Sequence, residues 1–542
     1  MKITILLLLY YIGFLCSYSN QFSVDPTGKF ILDKAGRPSI FHGVNVVNKE
    51  PPYIPSTEYF DVKHSVSKED IVFMKHLGFN LVRLGVEWEA VEKVEGQYDD
   101  EYLGNVTKLI NTLGENGIYT LIDTHQDLFS KKFCGNGVPY FYVDKLGYRT
   151  KCDSSPIAYI LGLVKVCKPM SSYNFRYDER GVPLKEDCAK NNWVEYHFTP
   201  EVTSAYKAFY DNKAGVQDKY IDFWKHLAKT FKGNPYIIGY DIWNEPFPGG
   251  LWDDLTMLIP SRADMKQLLP VYEKIEQAIR DIDPDFLLFF ENMPFPDFLP
   301  LFGGLILGGL RKTPGPINQV YNVHSYCCNS GADACPSSGE PTLEISRKRC
   351  PGYHKKKIET NLKDAEILKT PLIISEFGNC LDGEACFNEL SGVVRNAEKH
   401  FVSWAYWIYK HLDDPYVNST SSNKEANYGI YYNDGGIQNT KERTLSRAYI
   451  QYYQGMPVSF EYTNEETNFE AKFIYHSEIE EPTVLYFNSE YFYKNGYNVK
   501  ILSQKGEEVP CKITIKNKNY LYIDGLDKSL DSQEIKIIFE SK

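Results

Sequence analysis

The sequence predicts a (β/α)8 TIM barrel followed by a C-terminal all-β sandwich, and three observations predict it. Between residues 38 and 455, eight short runs of β-type residues alternate with segments of helical periodicity. Glutamate stands at the mouth of the fourth and seventh runs, Glu245 directly after the one and Glu376 next to last in the other. Beyond residue 457 the helical period stops and short apolar–polar alternation replaces it.

The β-type runs cover 39–46, 80–86, 119–127, 237–244, 286–291, 319–326, 372–377 and 403–409. Between the first two, Ser67 can cap a helix with Ile71, Met74 and Leu77 on one face, closed by Gly78. The next helix carries Leu103, Val106, Ile110 and Leu113, and a third carries Val216, Tyr220, Phe223, Leu227 and Phe231. Strands joined by crossover helices run parallel, and eight of them close into a barrel whose active site lies at the strand C-terminal ends. Insertions at 128 to about 213 and at 327 to about 360 are expected to rise over that face. A helix over 441–454 is expected to end the barrel. The predicted organisation is a signal peptide at 1–19, a catalytic barrel at 20–456 and a sandwich at 457–542.

A chain of 542 residues exceeds what one hydrophobic core serves, which fits two domains. The net charge of -12 argues against nucleic acid as a partner. Forty-one tyrosines and 31 phenylalanines make the chain rich in rings, which suit either core packing or sugar and lipid surfaces. The N-terminus reads Met1, Lys2, an apolar run from Ile3 to Cys16, then small and polar residues, the pattern of a signal peptide. The alternative, a membrane anchor, requires about 20 apolar residues, more than this run has. A secreted or lumenal destination is therefore expected. Of the 12 cysteines, Cys16 falls in the leader, so the mature chain should pair most of the rest, leave one over, and use the bridges to staple the insertions. Sequons at Asn105 and Asn418 agree with that route.

Chemistry concentrates at the ends of the β-type runs. Retaining glycosidases need two carboxyl groups about 5–5.5 Å apart, one to attack the anomeric carbon and one to protonate the leaving oxygen. Glu245, within Asn-Glu-Pro, reads as the acid/base, and Glu376, within Ser-Glu-Phe-Gly, as the nucleophile. Asn244 would hydrogen-bond the sugar 2-hydroxyl. Arg83 would lie beneath the nucleophile and favour its ionised form. His324 and Tyr326 alternate along the sixth run and so share one side, Tyr326 toward Glu376 and His324 toward the leaving group. Asp123, His125 and Asp127 alternate along the third run, a pattern that would suit a metal; sugar recognition is preferred, because this chemistry needs neither metal nor cofactor.

With Arg83, Asn244–Glu245, His324, Tyr326, Glu376 and Trp407 in this order, the segment from 38 to 455 resembles glycoside hydrolase family 5. The stretches 41–53, 123–127 and 134–140 look like its endoglycoceramidase subgroup, whose members cut between oligosaccharide and ceramide and carry a C-terminal β-sandwich. That resemblance implies a glycosphingolipid substrate, with Lys49, His125 and Asp127 binding the sugar next to ceramide and Trp407 flooring it. It also implies peripheral contact with membranes or micelles. The apolar loop sequences 247–252, 257–260 and 298–310 are the expected lipid-facing surface, with packing against the barrel as the alternative. The insertion from 141 to 212 has no counterpart in the subgroup pattern. The alternatives are a β-glucosidase or glucanase acting on simple glucosides, and a catalytically silent glycolipid-binding protein.

Overall fold

The computed structural model describes residues 21–152, 167–191, 193–294, 309–327, 341–410, 428–463 and 467–542. The chain enters through three short strands, β1 (Phe22–Val24), β2 (Ile31–Asp33) and β3 (Pro38–Ser39). Eight parallel strands then close a barrel: β4 (His42–Val46), β5 (Leu81–Gly85), β6 (Tyr119–Asp123), β7 (Ile237–Asp241), β8 (Leu288–Glu291), β9 (Gln319–Ser325), β10 (Leu372–Phe377) and β11 (Ser403–Tyr406). The expected fold class is the observed one.

Period-2 alternation divides the barrel interior into layers. Leu81, Leu121, Phe289, Val320 and Ile373 pack together at the N-terminal end, and Phe22 of the β1–β2 hairpin seals them from below. Two residues further along the same strands stand Arg83, Asp123, Glu291 and Asn322, buried and polar. Strict alternation would send Ser375 inward on β10 after Ile373. A register shift against β9 between Ile374 and Glu376 re-aims the chain, and Glu376 turns into the barrel instead.

The helix Lys68–His76 begins with the expected Ser67 cap, completed as a capping box by Asp70. It ends at Gly78, whose φ of 78° favours glycine and whose missing side chain makes room for the Tyr486 ring.

Two expectations need correction. The helix predicted for 441–454 is shorter, Asn439–Leu445, and the chain continues as strand β12 (Tyr449–Tyr452). Tyr449 stacks on His42 at 3.5 Å and donates its hydroxyl to the Gly78 carbonyl, while β3 and a later strand offer ladder partners on both sides; this pairing outweighs helical propensity. The predicted boundary at 456/457 also divides a sheet. After β12 come β13 (Gly455–Tyr462), β14 (Phe469–Tyr475), β15 (Thr483–Tyr486), β16 (Tyr497–Ser503), β17 (Lys512–Lys516), β18 (Tyr520–Asp524) and β19 (Glu534–Ser541). One sheet runs β13-β14-β19-β16; the other runs β1-β2-β3-β12-β15-β18-β17 and so takes its first strands from the N-terminus. Strands of two or three residues are too short to show a period in sequence.

The insertion after β6 is stapled by Cys134–Cys188 and, within that loop, Cys152–Cys167. Cys327–Cys350 and Cys380–Cys386 hold the loops after β9 and β10, and among the described residues Cys511 is the free cysteine. Cys328, Cys335, Asn418 and the expected signal peptide lie outside the described residues. Among the described residues, no helix is long and apolar enough to cross a membrane.

Candidate active site

Arg83 is the hub of the barrel mouth. It has no exposed surface, and its guanidinium donates to Glu376 Oε1 at 2.7 Å, Asp241 at 2.8 Å, Asp123 and Asn244 at 2.9 Å, and Asn45 at 3.1 Å. A buried guanidinium is tolerable only when its donors are matched by acceptors, and here five different side chains supply them. Tyr326 donates its hydroxyl to the other oxygen of Glu376 at 2.9 Å. The nucleophile candidate is thereby held by two donors from opposite sides.

Glu245 follows β7 with a φ of 40°, in the left-handed region that non-glycine residues rarely occupy. Three hydrogen bonds from two side chains fix that backbone: Gln126 donates to the carbonyls of Asn244 and Glu245 at 2.6 and 3.0 Å, and Glu291 accepts from the Glu245 N–H at 3.1 Å. The Glu245 side chain is 18% exposed, against 6% for Glu376, so it faces the cleft more openly. His324 lies between them, its Nδ1 2.7 Å from Glu245 and 3.4 Å from Glu376. One ligating oxygen of each glutamate and a nitrogen of His324 all lie within 4.8 Å of one another. His324, expected on the leaving-group side, instead bridges the pair.

Beside this cluster stands a second one. His125 Nδ1 meets Asp123 at 2.8 Å, Asp127 pairs with Lys49 at 2.7 Å, and the Lys49 ammonium sits 5.1 Å over the Trp407 ring. His125 and Trp407 stack with centroids 5.1 Å apart. The structure therefore brings Lys49, His125, Asp127 and Trp407 to one wall. Asp123 departs from the expectation that it binds substrate: it has no exposed surface, and its two oxygens are taken by Arg83 and His125, so it holds those two side chains in place. Its engagement, with the Lys49 ammonium on Asp127, also leaves this trio poorly suited to a metal ion.

Burial shapes the charges. It pushes Glu376 above the ordinary glutamate range, against the pull of His324 and Arg83. It acts equally on Glu245, but the hydrogen bond and charge of His324 outweigh it and hold that carboxyl below the range. Burial disfavours charge on His324 too, yet the surrounding carboxylates, Glu291 foremost, drive its value well up. For His125 the same contest, with Asp123 the main counterweight, ends at about 10.

Asn45, Gln126, Asp241, Glu291 and Asn322 were not singled out in sequence. Glu291 had a signal: it ends a barrel strand in glutamate, as Glu376 does. Asn322 had another, lying two residues before His324. Beside Glu245, the partly buried Trp193, His197 and Phe198 of the insertion meet Phe247 around a narrow cleft. Burial lowers His197 to about 4, so it lines this cleft as a neutral ring. Phe247, Leu251 and Trp252, expected to face lipid, are instead buried, and Trp252 is tied down by donating to the Phe198 carbonyl. In the loop 257–260 Ile259 is 54% exposed. The 298–310 stretch lies outside the described residues except at its last two positions.

The family described as Cellulase (glycosyl hydrolase family 5) matches residues 32–151 and 189–412, and the glycoside hydrolase family 5 C-terminal domain matches 447–537. The chain belongs to glycoside hydrolase family 5. As a member of family 5 it is an enzyme, a glycoside hydrolase. It is 30% identical to an endoglycoceramidase of Hydra vulgaris, over 96% of this chain and 90% of that one. An endoglycoceramidase of Cyanea nozakii is 29% identical over 92% and 91%. The solved structure of endo-glycoceramidase II from Rhodococcus sp. in complex with ganglioside GM3 shares the fold, with a TM-score of 0.68 at 19% identity, covering 95% of this chain and 99% of that one. The gap in the barrel match, 152–188, falls within the disulfide-stapled insertion.

Proposed function

We propose that this family 5 enzyme hydrolyses the bond between oligosaccharide and ceramide in glycosphingolipids with retention, releasing intact oligosaccharide and ceramide. The observation that carries the chemistry is the spacing of Glu245 and Glu376, whose nearest ligating oxygens lie within 4.8 Å. That suits the roughly 5–5.5 Å of retaining enzymes and falls short of the roughly 6.5–9.5 Å that an inverting water needs.

In this reading Glu376 attacks the anomeric carbon of the reducing-end sugar, with Arg83 and Tyr326 steadying its charge. Glu245 gives its proton to the leaving oxygen, then removes one from the water that cleaves the glycosyl–enzyme bond. The proton it delivers is the one shared across the 2.7 Å contact with His324. Asn244 accepts from Arg83 and spends one amide N–H on the Gln126 carbonyl, which leaves the second for a sugar 2-hydroxyl. Lys49, His125, Asp127 and Trp407 bind the sugar from their shared wall.

The aglycone must lie on the side of the residue that protonates it. There the partly buried rings of Trp193 and Phe198 and the neutral imidazole of His197 offer a surface that suits an apolar chain. A ceramide aglycone resides in membranes or micelles, so this reading includes peripheral contact with such a surface. Disulfides in the described loops support a secreted or lumenal setting.

The test is incubation with ganglioside, lactosylceramide and glucosylceramide, with both glycan and ceramide identified. Intact oligosaccharide plus ceramide from the ganglioside is expected. Release from glucosylceramide alone would favour a simple glucosidase. Binding without turnover would favour a silent receptor.

A further inference from the structure

Glu291 ends β8 deep in the barrel mouth, 3% exposed, and takes no place among the groups that would touch sugar. Its two oxygens serve different parts of the same neighbour. Oε2 accepts from the strained Glu245 backbone N–H at 3.1 Å. Oε1 lies 3.0 Å from His324 Nε2, at an angle short of a well-aligned hydrogen bond, and accepts from Asn322 at 3.1 Å. The opposite ring nitrogen of His324 is the one that meets the Glu245 carboxyl. One carboxyl group thus anchors Glu245 twice, through its backbone and through the imidazole on its side chain.

We propose that Glu291 is a positioning residue for the acid/base Glu245, setting both where that carboxyl points and which nitrogens of His324 carry protons. The proposal rests on the assignment of Glu245 as acid/base. The chemistry follows from the contacts. A carboxylate at Nε2 keeps a proton on that nitrogen, and a protonated Nε2 with a proton also on Nδ1 makes His324 a donor to Glu245. Without that partner the ring reverts to a neutral tautomer, and both the aim of the Glu245 carboxyl and the charge that tunes it are lost. Other charges facing the pair are Arg83 at 3.5 Å from Glu291, Asp241 behind Arg83, Glu376 at 3.4 Å from His324, and His125 and Asp127 across the cleft from Glu245. The Tyr272 hydroxyl also faces Glu291 and Asp241. None of these occupies both the Glu245 backbone and His324.

The test compares Glu291→Gln, Glu291→Asp and Glu245→Gln on two β-lactosides, one with a dinitrophenyl and one with a phenyl leaving group. The first leaves without a proton and the second needs one. Glu291→Gln must point an amide N–H at either His324 or the Glu245 N–H, so kcat/KM on the phenyl glycoside should fall at least about tenfold more than on the dinitrophenyl glycoside. The basic limb of the pH profile should move toward higher pH by about one unit, because a neutral His324 no longer holds the Glu245 carboxyl below its ordinary range. Glu291→Asp keeps the charge and should show the same split in smaller measure, which preserves the test if the Gln variant folds poorly. Equal losses on both substrates with an unmoved basic limb would make Glu291 a structural support only and overturn the proposal. Glu245→Gln should show the largest split; if it shows none, the acid/base assignment fails and this inference falls with it.

Discussion

The floor and the mouth of the barrel are built by the same strands, two or three residues apart, and they behave as opposites. At the floor Leu81, Leu121, Phe289, Val320 and Ile373 make a dry layer under Phe22. At the mouth Arg83, Asp123, Asp241, Glu291 and Glu376 bury charge upon charge. Burying an apolar side chain stabilises by about 1.5–3 kcal/mol, whereas a buried ion pair often breaks even against its desolvation. The contrast teaches that this barrel obtains stability at one end of each strand and can therefore carry, at the other end, an arrangement suited to chemistry and indifferent to stability.

Substitutions at the two ends should separate these properties. The largest effect is expected from Glu376→Gln: kcat should fall about 10⁴-fold or more, equivalent to about 5.5 kcal/mol, with the melting temperature little changed and substrate still bound. Retained turnover would refute the nucleophile assignment. Phe289→Ala at the floor should do the reverse, costing about 3–5 kcal/mol in denaturant unfolding while kcat of the folded fraction stays near wild type. A kinetic defect there would show that the floor is coupled to chemistry. Tyr326→Phe removes one charge-assisted hydrogen bond from Glu376, worth about 1.5–3 kcal/mol, and kcat should fall about ten- to a hundredfold.

A further effect concerns pH. His125 holds its proton to about 10 when folded, against about 6.5 unfolded, so its contribution to stability is full below pH 6.5 and is lost as pH rises through 10. Melting temperature should decline across that window, and His125→Gln should flatten part of the decline. An unchanged slope would mean that the Asp123–His125–Asp127 wall carries no such linkage.

The legibility of the two ends in sequence also differs. The floor is plain hydrophobic alternation, and the eight strands were readable from it. At the mouth, glutamates preceded by Asn or Ser at strand ends pointed to Glu245 and Glu376, but not to how they are held. Gln126 and Asn45 act through hydrogen bonds to groups far away in the chain, which leave no pattern in a linear sequence. Asp123 looked like a ligand because it alternates with His125, and only its enclosure by Arg83 shows that it serves other residues. The β10 bulge is likewise silent, since nothing in Ile374–Ser375–Glu376 announces the register shift. Phe247, Leu251 and Trp252 had the composition of a lipid surface, and burial, which composition does not reveal, made them core.

The bridge between Cys134 and Cys188 brings the two ends of a long excursion to 5.5 Å between Cα atoms. Loop closure then depends only weakly on what lies between, about 0.6 kcal/mol for each doubling of length. Descent can lengthen, shorten or rewrite the enclosed segment while the barrel remains unaffected. Because Trp193 and His197 follow directly after this closed loop, such rewriting would alter the surroundings of Glu245 without any change to the two carboxylates.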